Sequence, residues 1–348
     1  MKKLFYALST SLILIHTVEA TSSLTITTGI GGAAGAAADA ALKSEIEKQF
    51  QVPTMGDFLK SMSNAQSITS KGQGVSYATD HSLFVVGGGF GAGLSGDMAS
   101  GFESKGGLPA IGVGAQGSVM AGVSLAKLPV PALGPIDLKR LTLFVNFFGI
   151  SNDSLVSSLS IKANTFGMHA QYKVIEGKNI GGIGLLNWGG IAFTTGFNVS
   201  SNSLTYKVGQ SISAESSGVK YTWTPNSASN LTLEANSFSI PFEISTSARV
   251  LYVLSVFAGA GIDLNFGKST IAANLNGPVT NSFNSTTGSA SLQISEEQGP
   301  SFGQMRFFAG PQLNLVPLKN TNLLSIYAQG NVSTGGNYGV HAGARIAW

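Results

Sequence analysis

The stretch Asn337–Trp348, NYGVHAGARIAW, decides the fold class when read with a period of two. Tyr338, Val340, Ala342, Ala344, Ile346 and Trp348 fall on one face, and Gly339, His341, Gly343, Arg345 and Ala347 on the other. One face is apolar with an aromatic at each end, while the other carries an arginine and a histidine. That is the pattern of a strand with hydrocarbon on one side and water on the other.

The rest of the 348-residue chain agrees. Only 11% of residues are charged, against roughly 25% in a typical soluble domain. The hydrophobic share is an ordinary 43%, so the missing charge is replaced by Ser, Thr, Asn and 45 glycines rather than by long oily runs. A formal net charge of +3 without any Lys/Arg cluster argues against a nucleic-acid partner. The chain contains no cysteine, so the fold is held without disulfides, and a lipid-modified cysteine is excluded.

Residues 1–20 read as a secretory signal peptide. Lys2 and Lys3 precede an apolar stretch from Leu4 to about Ile15, and Val18 and Ala20 suit cleavage before Thr21. His16 and Glu19 cut the apolar run below the length of a membrane anchor. Further on, the longest apolar run, Val250 to Ile262, is also too short for a spanning helix. A mature chain that enters a bilayer must then do so as a closed β-barrel, since only helices and barrels satisfy the backbone in lipid.

Residues 21–80 differ in pattern from the remainder of the chain. GGAAGAAADAALKSEIEKQF predicts a helix with Leu42, Ile46 and Phe50 spaced four apart, ended by Pro53. TMGDFLKSMSNAQSI predicts a second, with Thr54 as N-cap and Asp57 three residues on. Too small for a core of its own, this segment is expected to plug something larger. Residues 81–348 alternate instead. Leu141, Leu143, Val145 and Phe147 oppose Arg140, Thr142 and Asn146. Met305, Phe307, Ala309, Leu313 and Leu315 oppose Gln304, Arg306, Gln312 and Asn314. The long alternating run from Phe238 to Leu264 predicts two strands with a turn at STSAR, Ser245 to Arg249. GKNIGG, NSASN and NGPVTNSFNSTTGS read as turns and loops. The expectation is an all-β protein: an antiparallel transmembrane β-barrel of about 12–14 strands with a short helical N-terminal plug.

The C-terminal stretch resembles the last strand of Gram-negative outer-membrane barrels, which end on Phe or Trp with apolar residues at every second position before it. The resemblance implies the cell outer membrane as location and its lipid as solvent. It also implies that Tyr338, Val340, Ile346 and Trp348 form the signal read by the barrel-assembly machinery. The N-terminal segment ahead of the first strand, with KGQGVSYATD at Lys71 to Asp80, is similar to the hatch of the long-chain fatty-acid transporter family, which implies a hydrophobic or lipid-like solute.

Signals for catalysis are weak. GAGLSG, Gly91 to Gly96, fits the dinucleotide fingerprint and follows the apolar LFVV, yet DMASGFESKGGLPA supplies no helix after it. The glycines read better as a strand or turn. His81, His169 and His341 stand alone without ligand spacing, so no metal, no cofactor and no enzyme are expected. The inward charges say more. Arg140, Glu243, Asp263, Arg306 and Arg345 occupy polar faces of their strands. An arginine facing mid-bilayer costs about 2–4 kcal/mol, so the lumen is their expected place. There they either line a pore or pair as structural bridges. The functional expectation is a passive channel or transporter for small or hydrophobic solutes, its lumen partly occluded by residues 21–80. The alternatives are a non-conducting surface barrel whose loops bind host or cell-surface partners, and a secreted β-rich adhesin.

Overall fold

The computed structural model describes residues 21–30, 32–50, 55–78, 83–96, 111–129, 132, 137–156, 158–180, 186–282, 286–317 and 322–348. The expected signal peptide, Pro53, Thr54 and His81 lie outside the described residues. The strands are β1 (Thr21–Thr27), β2 (Phe84–Gly96), β3 (Ile111–Ser124), β4 (Leu141–Val156), β5 (Leu159–Ile180), β6 (Leu186–Lys207) and β7 (Ile212–Ser216). They continue with β8 (Val219–Trp223), β9 (Asn230–Val250), β10 (Leu254–Asn281), β11 (Thr286–Gln298), β12 (Gly303–Pro317), β13 (Asn322–Ser333) and β14 (Asn337–Ala347). Two helices, α1 (Gly32–Phe50) and α2 (Met55–Thr69), precede β2, as the sequence predicts.

Among the described residues all fourteen strands join one antiparallel sheet, and ten of them, in the order β2-β3-β4-β5-β6-β9-β10-β12-β13-β14, close a ring when β14 pairs with β2. Closure leaves the ring itself without an edge, as a barrel in lipid requires. Alternation is strict in β14: Asn337, His341 and Arg345 are buried inside, while Val340 is 63% and Trp348 49% exposed outside. The expected 12–14 strands exist in the sheet, but the ring is narrower because four strands lie off it.

Those four belong to an extension that rises from the ring at the end opposite Trp348. β10 explains how. Its outward residues run Val256, Ala258, Ala260, Ile262, Leu264 and Phe266, and its inward residues include Ser255, Asp263 and Asn265. Beyond Phe266 the two faces exchange character. Ile271, Ala273, Leu275 and Val279 are now the buried side chains, and Lys268, Asn274 and Asn276 face outward. β9 inverts at the same level, where Phe238 pairs with Phe266 and Asn236 with Lys268. Phenylalanines mark that level in a chain of ring contacts from Phe166 through Phe197, Phe238 and Phe266 to Phe302, at 5.2–6.3 Å between centroids. From Leu254 to Phe266 is roughly 40 Å of strand, or roughly 28 Å of height at a 45° tilt, the thickness of a bilayer's hydrocarbon. Beyond the belt, α1 buries Ala38, Leu42 and Ile46 against the extension, in one core with Ile212, Tyr221, Trp223, Leu275, Leu292 and Ile294. β1 adds to β11 along Thr21–Thr27.

Several expectations need correction, among them that GKNIGG is a turn, since Gly177–Ile180 close β5. Residues 21–50 do not fill the lumen, because the apolar face of α1 finds an apolar partner only above the inversion; the lumen holds residues 55–78. The turn expected at Ser245–Arg249 falls at 251–253, where Leu251 and Tyr252 take φ of +54° and +63°. Such left-handed residues are usually Gly or Asn, so the turn carries no sequence mark. NGPVTNSFNSTTGS is mostly strand: Gly277–Asn281 belong to β10, and residues from Thr286 on to β11.

The inversion makes a sharp prediction. Ala260→Arg, at mid-height on the outer face, should cost about 2–4 kcal/mol in urea unfolding from lipid vesicles, whereas Asn274→Arg above the belt should stay within about 0.5 kcal/mol of the parent.

Candidate functional site

The lumen is the candidate site, and its content is the chain itself. α2 starts in the core of the extension, where Met55 and Leu59 are buried, and then descends. Asn64 accepts from Ser301 N at 2.8 Å and from Gln304 Nε2 at 3.2 Å. Two residues on, Gln66 donates to Ser200 Oγ at 2.9 Å and accepts from Asn202 at 2.8 Å. The loop after the helix continues the descent. The Gln73 side chain donates to the Gln116 carbonyl and accepts from the Gln116 amide, the Val75 carbonyl accepts from Arg345 Nη2 at 2.6 Å, and Tyr77 reaches the aromatic pair Phe257 and Phe308 near the lower rim.

Glycines in the wall make room for this segment. A Cβ on Gly112 would lie 2.1 Å from the Ser61 backbone, and one on Gly93 would lie 2.3 Å from Thr69 Oγ1 and 2.5 Å from the Ala65 carbonyl. No rotamer change relieves a clash with backbone. The Gly91–Gly96 motif therefore serves as the seat of a helix packed against a strand, and binds no phosphate in this reading.

Below the helix sits a network of four buried charges. Arg306, fully buried on β12, donates from Nε to Asp263 Oδ2 at 2.8 Å, pairs through Nη2 with Glu243, and donates from Nη1 to Asn331 at 2.9 Å. Lys71, 2% exposed, lies 3.5 Å from Asp263 and donates to Ser239 at 2.7 Å and Asn265 at 3.2 Å. Tyr77 donates to the second oxygen of Glu243 at 2.6 Å. Two cations meet two carboxylates, so the cluster is neutral overall. Arg345 stands apart, held by the Val75 carbonyl, by Gln312 at 3.4 Å and by the Tyr327 ring 3.6 Å from its guanidinium carbon.

Of the five charges expected in the lumen, the structure places Glu243, Asp263, Arg306 and Arg345 there. Arg140 lies elsewhere. Asp137 caps a short 3-10 turn over Leu138–Arg140, β4 begins only at Leu141, and Arg140 pairs with Glu176 at 3.1 Å on the partly exposed rim beside Trp348's end of the barrel. Lys71 and Tyr77 were invisible to strand periodicity because they sit on a loop. Their signal was an unexplained lysine and tyrosine in a segment already marked as the plug. Tyr338, Val340, Ile346 and Trp348 line the outer face of β14, next to the ring's closing seam with β2.

A family model described as Lsa36-like matches residues 19–348, and the chain belongs to that family. Comparison with curated proteins finds no match. Among solved structures, the outer-membrane protease OmpT of Escherichia coli is similar at 8% identity and a TM-score of 0.35, over 78% of this chain and 99% of that one. The translocator domain of the autotransporter NalP of Neisseria meningitidis matches at 10% identity and 0.29, over 91% and 100%. A FadL homologue of Pseudomonas aeruginosa matches at 8% and 0.26, over 82% and 99%. Values this low transfer no activity.

The network separates two arginines. Arg306→Ala leaves two carboxylates short of a buried cation and should cost about 3–5 kcal/mol in urea unfolding, while Arg140→Ala on the rim should cost about 1 kcal/mol or less.

Proposed function

We propose that this Lsa36-like chain is an outer-membrane barrel working as a closed surface platform: its lumen is stoppered by residues 55–78, and the sheet extension is presented on the cell surface to partners. The observation that carries this reading is the filled lumen. An aqueous pore keeps its charges wet, whereas here Arg306, Lys71, Glu243 and Asp263 are all buried and spent on one another. Orientation follows from shape. Outer-membrane barrels keep short turns on the periplasmic side and long projections outside. The turn at 251–253 and Trp348 share one end, and the extension rises from the other. In this orientation membrane lipid covers the apolar band, and the assembly machinery reads β14.

The reading assigns the lumen no catalysis: His169 Nε2 shares a 3.1 Å hydrogen bond with the Asn198 amide, not with a nucleophile. Transport of a small or hydrophobic solute requires residues 55–78 to leave, breaking the Lys71 and Tyr77 contacts together.

Planar-bilayer recording decides between the two. The full chain should insert and stay silent, and Gly93→Val with Gly112→Val, which leave α2 no seat, should produce stable conductance steps. Steps from the unaltered chain would overturn the closed-platform reading and favour a channel.

A further inference from the structure

We infer that the chain passes through its own barrel, so that residues 21–50 lie on the opposite side of the membrane from Trp348. The inference rests on the membrane reading above and adds a direction to it.

The depth order of the contacts carries it. Ser61 faces Gly112, near the upper end of β3; Ala65 and Thr69 face Gly93, two residues lower than Ser95 on β2; Gln73 lies against Gly91. Val75 meets Arg345, which pairs with Gly87, and Tyr77 meets Phe257, close above the turn at 251–253. Finally the Leu83 and Phe84 amides both donate to the Trp348 carbonyl, at 3.0 and 2.9 Å. From Ser61 near the upper end, through Gln73 and Val75, to Tyr77 and Leu83 at the lower end, the contacts pass down the lumen. Above α2, α1 and β1 are built into the extension through its apolar core and the β1–β11 ladder. A hatch that entered from below would leave its N-terminus below; this one leaves it on top.

The plug is therefore anchored at both ends, in the extension above and in β2 below. A segment held at both ends cannot be threaded into a finished ring with α1 already folded. Either the ring closes at the β14–β2 seam with residues 55–78 inside it, or residues 21–50 cross unfolded before α1 and β1 dock. Both routes use the lumen once, as the passage of the chain's own N-terminus.

The absence of cysteine makes the test direct. Lys43, 53% exposed on α1 in its pair with Glu47, and Lys139, exposed on the rim beside Arg140, belong neither to the lumen nor to the seam. Single variants Lys43→Cys and Lys139→Cys are displayed on intact Gram-negative cells and treated with a membrane-impermeant maleimide, before and after permeabilising the outer membrane. Lys43→Cys should label equally in both conditions, and Lys139→Cys at least tenfold more after permeabilisation; Glu47→Cys checks α1 a second time. With the protein in the outer-membrane fraction, a protected α1, or both ends reacting alike, overturns the through-lumen path but leaves the membrane reading standing. Recovery in the soluble fraction with both ends labelled overturns the membrane reading itself.

Discussion

Everything inside this barrel depends on Arg306 being satisfied. A fully buried guanidinium without carboxylates would destabilise the fold by several kcal/mol. Here β10 supplies Asp263 and β9 supplies Glu243, so the arginine ties three neighbouring strands. Those two carboxylates exceed one arginine's charge, and the balance comes from the plug as Lys71. The wall is electrically complete only when the N-terminal segment is at the correct depth. Replacing such clusters by apolar side chains often leaves stability unchanged or raised. A polar cluster sets register instead: a shift of α2 by one turn, about 5.4 Å, would strand Lys71 among hydroxyls and leave Asp263 half-paired.

The same segment has to satisfy two solvents in succession, and the sequence of β9 and β10 shows where they change. Below Phe238 and Phe266 the strands are apolar outside and polar inside; above, the reverse. A single strand pair thus passes from a membrane wall to a water-soluble sheet without a break in its ladder. What changes is the partner of its inner face, from the polar loop carrying Lys71 to the apolar side of α1 and the β7–β8 hairpin. The two helices differ in the same sense. α1 keeps Leu42 and Ile46 for the extension, while α2 buries Ser63, Asn64, Gln66 and Ser67 in the lumen.

Much of this was legible in the chain alone. β14 is read from its alternation alone, α1 from its apolar spacing, α2 from a capping pattern at its start, and four lumen charges from the cost of facing lipid. The ring size was not legible, because strands of the extension alternate as well as those of the wall, and counting runs adds them together. The β10–β11 arm hid in loop chemistry: Asn, Gly, Pro, Ser and Thr are turn formers in isolation, but on Gly277–Asn281 and β11 they are the wet face of paired strands. Arg140 misled because parity places a residue on a face only while the strand continues, and Asp137 starts it one residue later. The phase exchange after Phe266 was the signal that could have divided wall from extension.

Barrel width gives the last link between wall and plug. Eight strands enclose about the volume their own side chains fill, and the diameter grows roughly linearly with strand number. Ten strands leave a bore wider than side chains close, yet a helix with side chains is about 10 Å across. Side chains on every inward position would exclude it. Glycine at 93 and 112, on the adjacent strands β2 and β3, moves the wall back by a side chain where α2 lies against it. On the opposite side, β9 and β10 keep full-length Glu243 and Asp263, which meet Tyr77 and Lys71 of the loop, and β12 keeps Arg306, which holds both carboxylates. Wall and plug are then complementary in depth as well as in charge, smooth where the helix passes and toothed where the loop follows. Narrowing the wall displaces the helix, and removing the segment exposes a glycine face with no partner and two carboxylates with one cation. The lumen of this fold is a mould of residues 55–78.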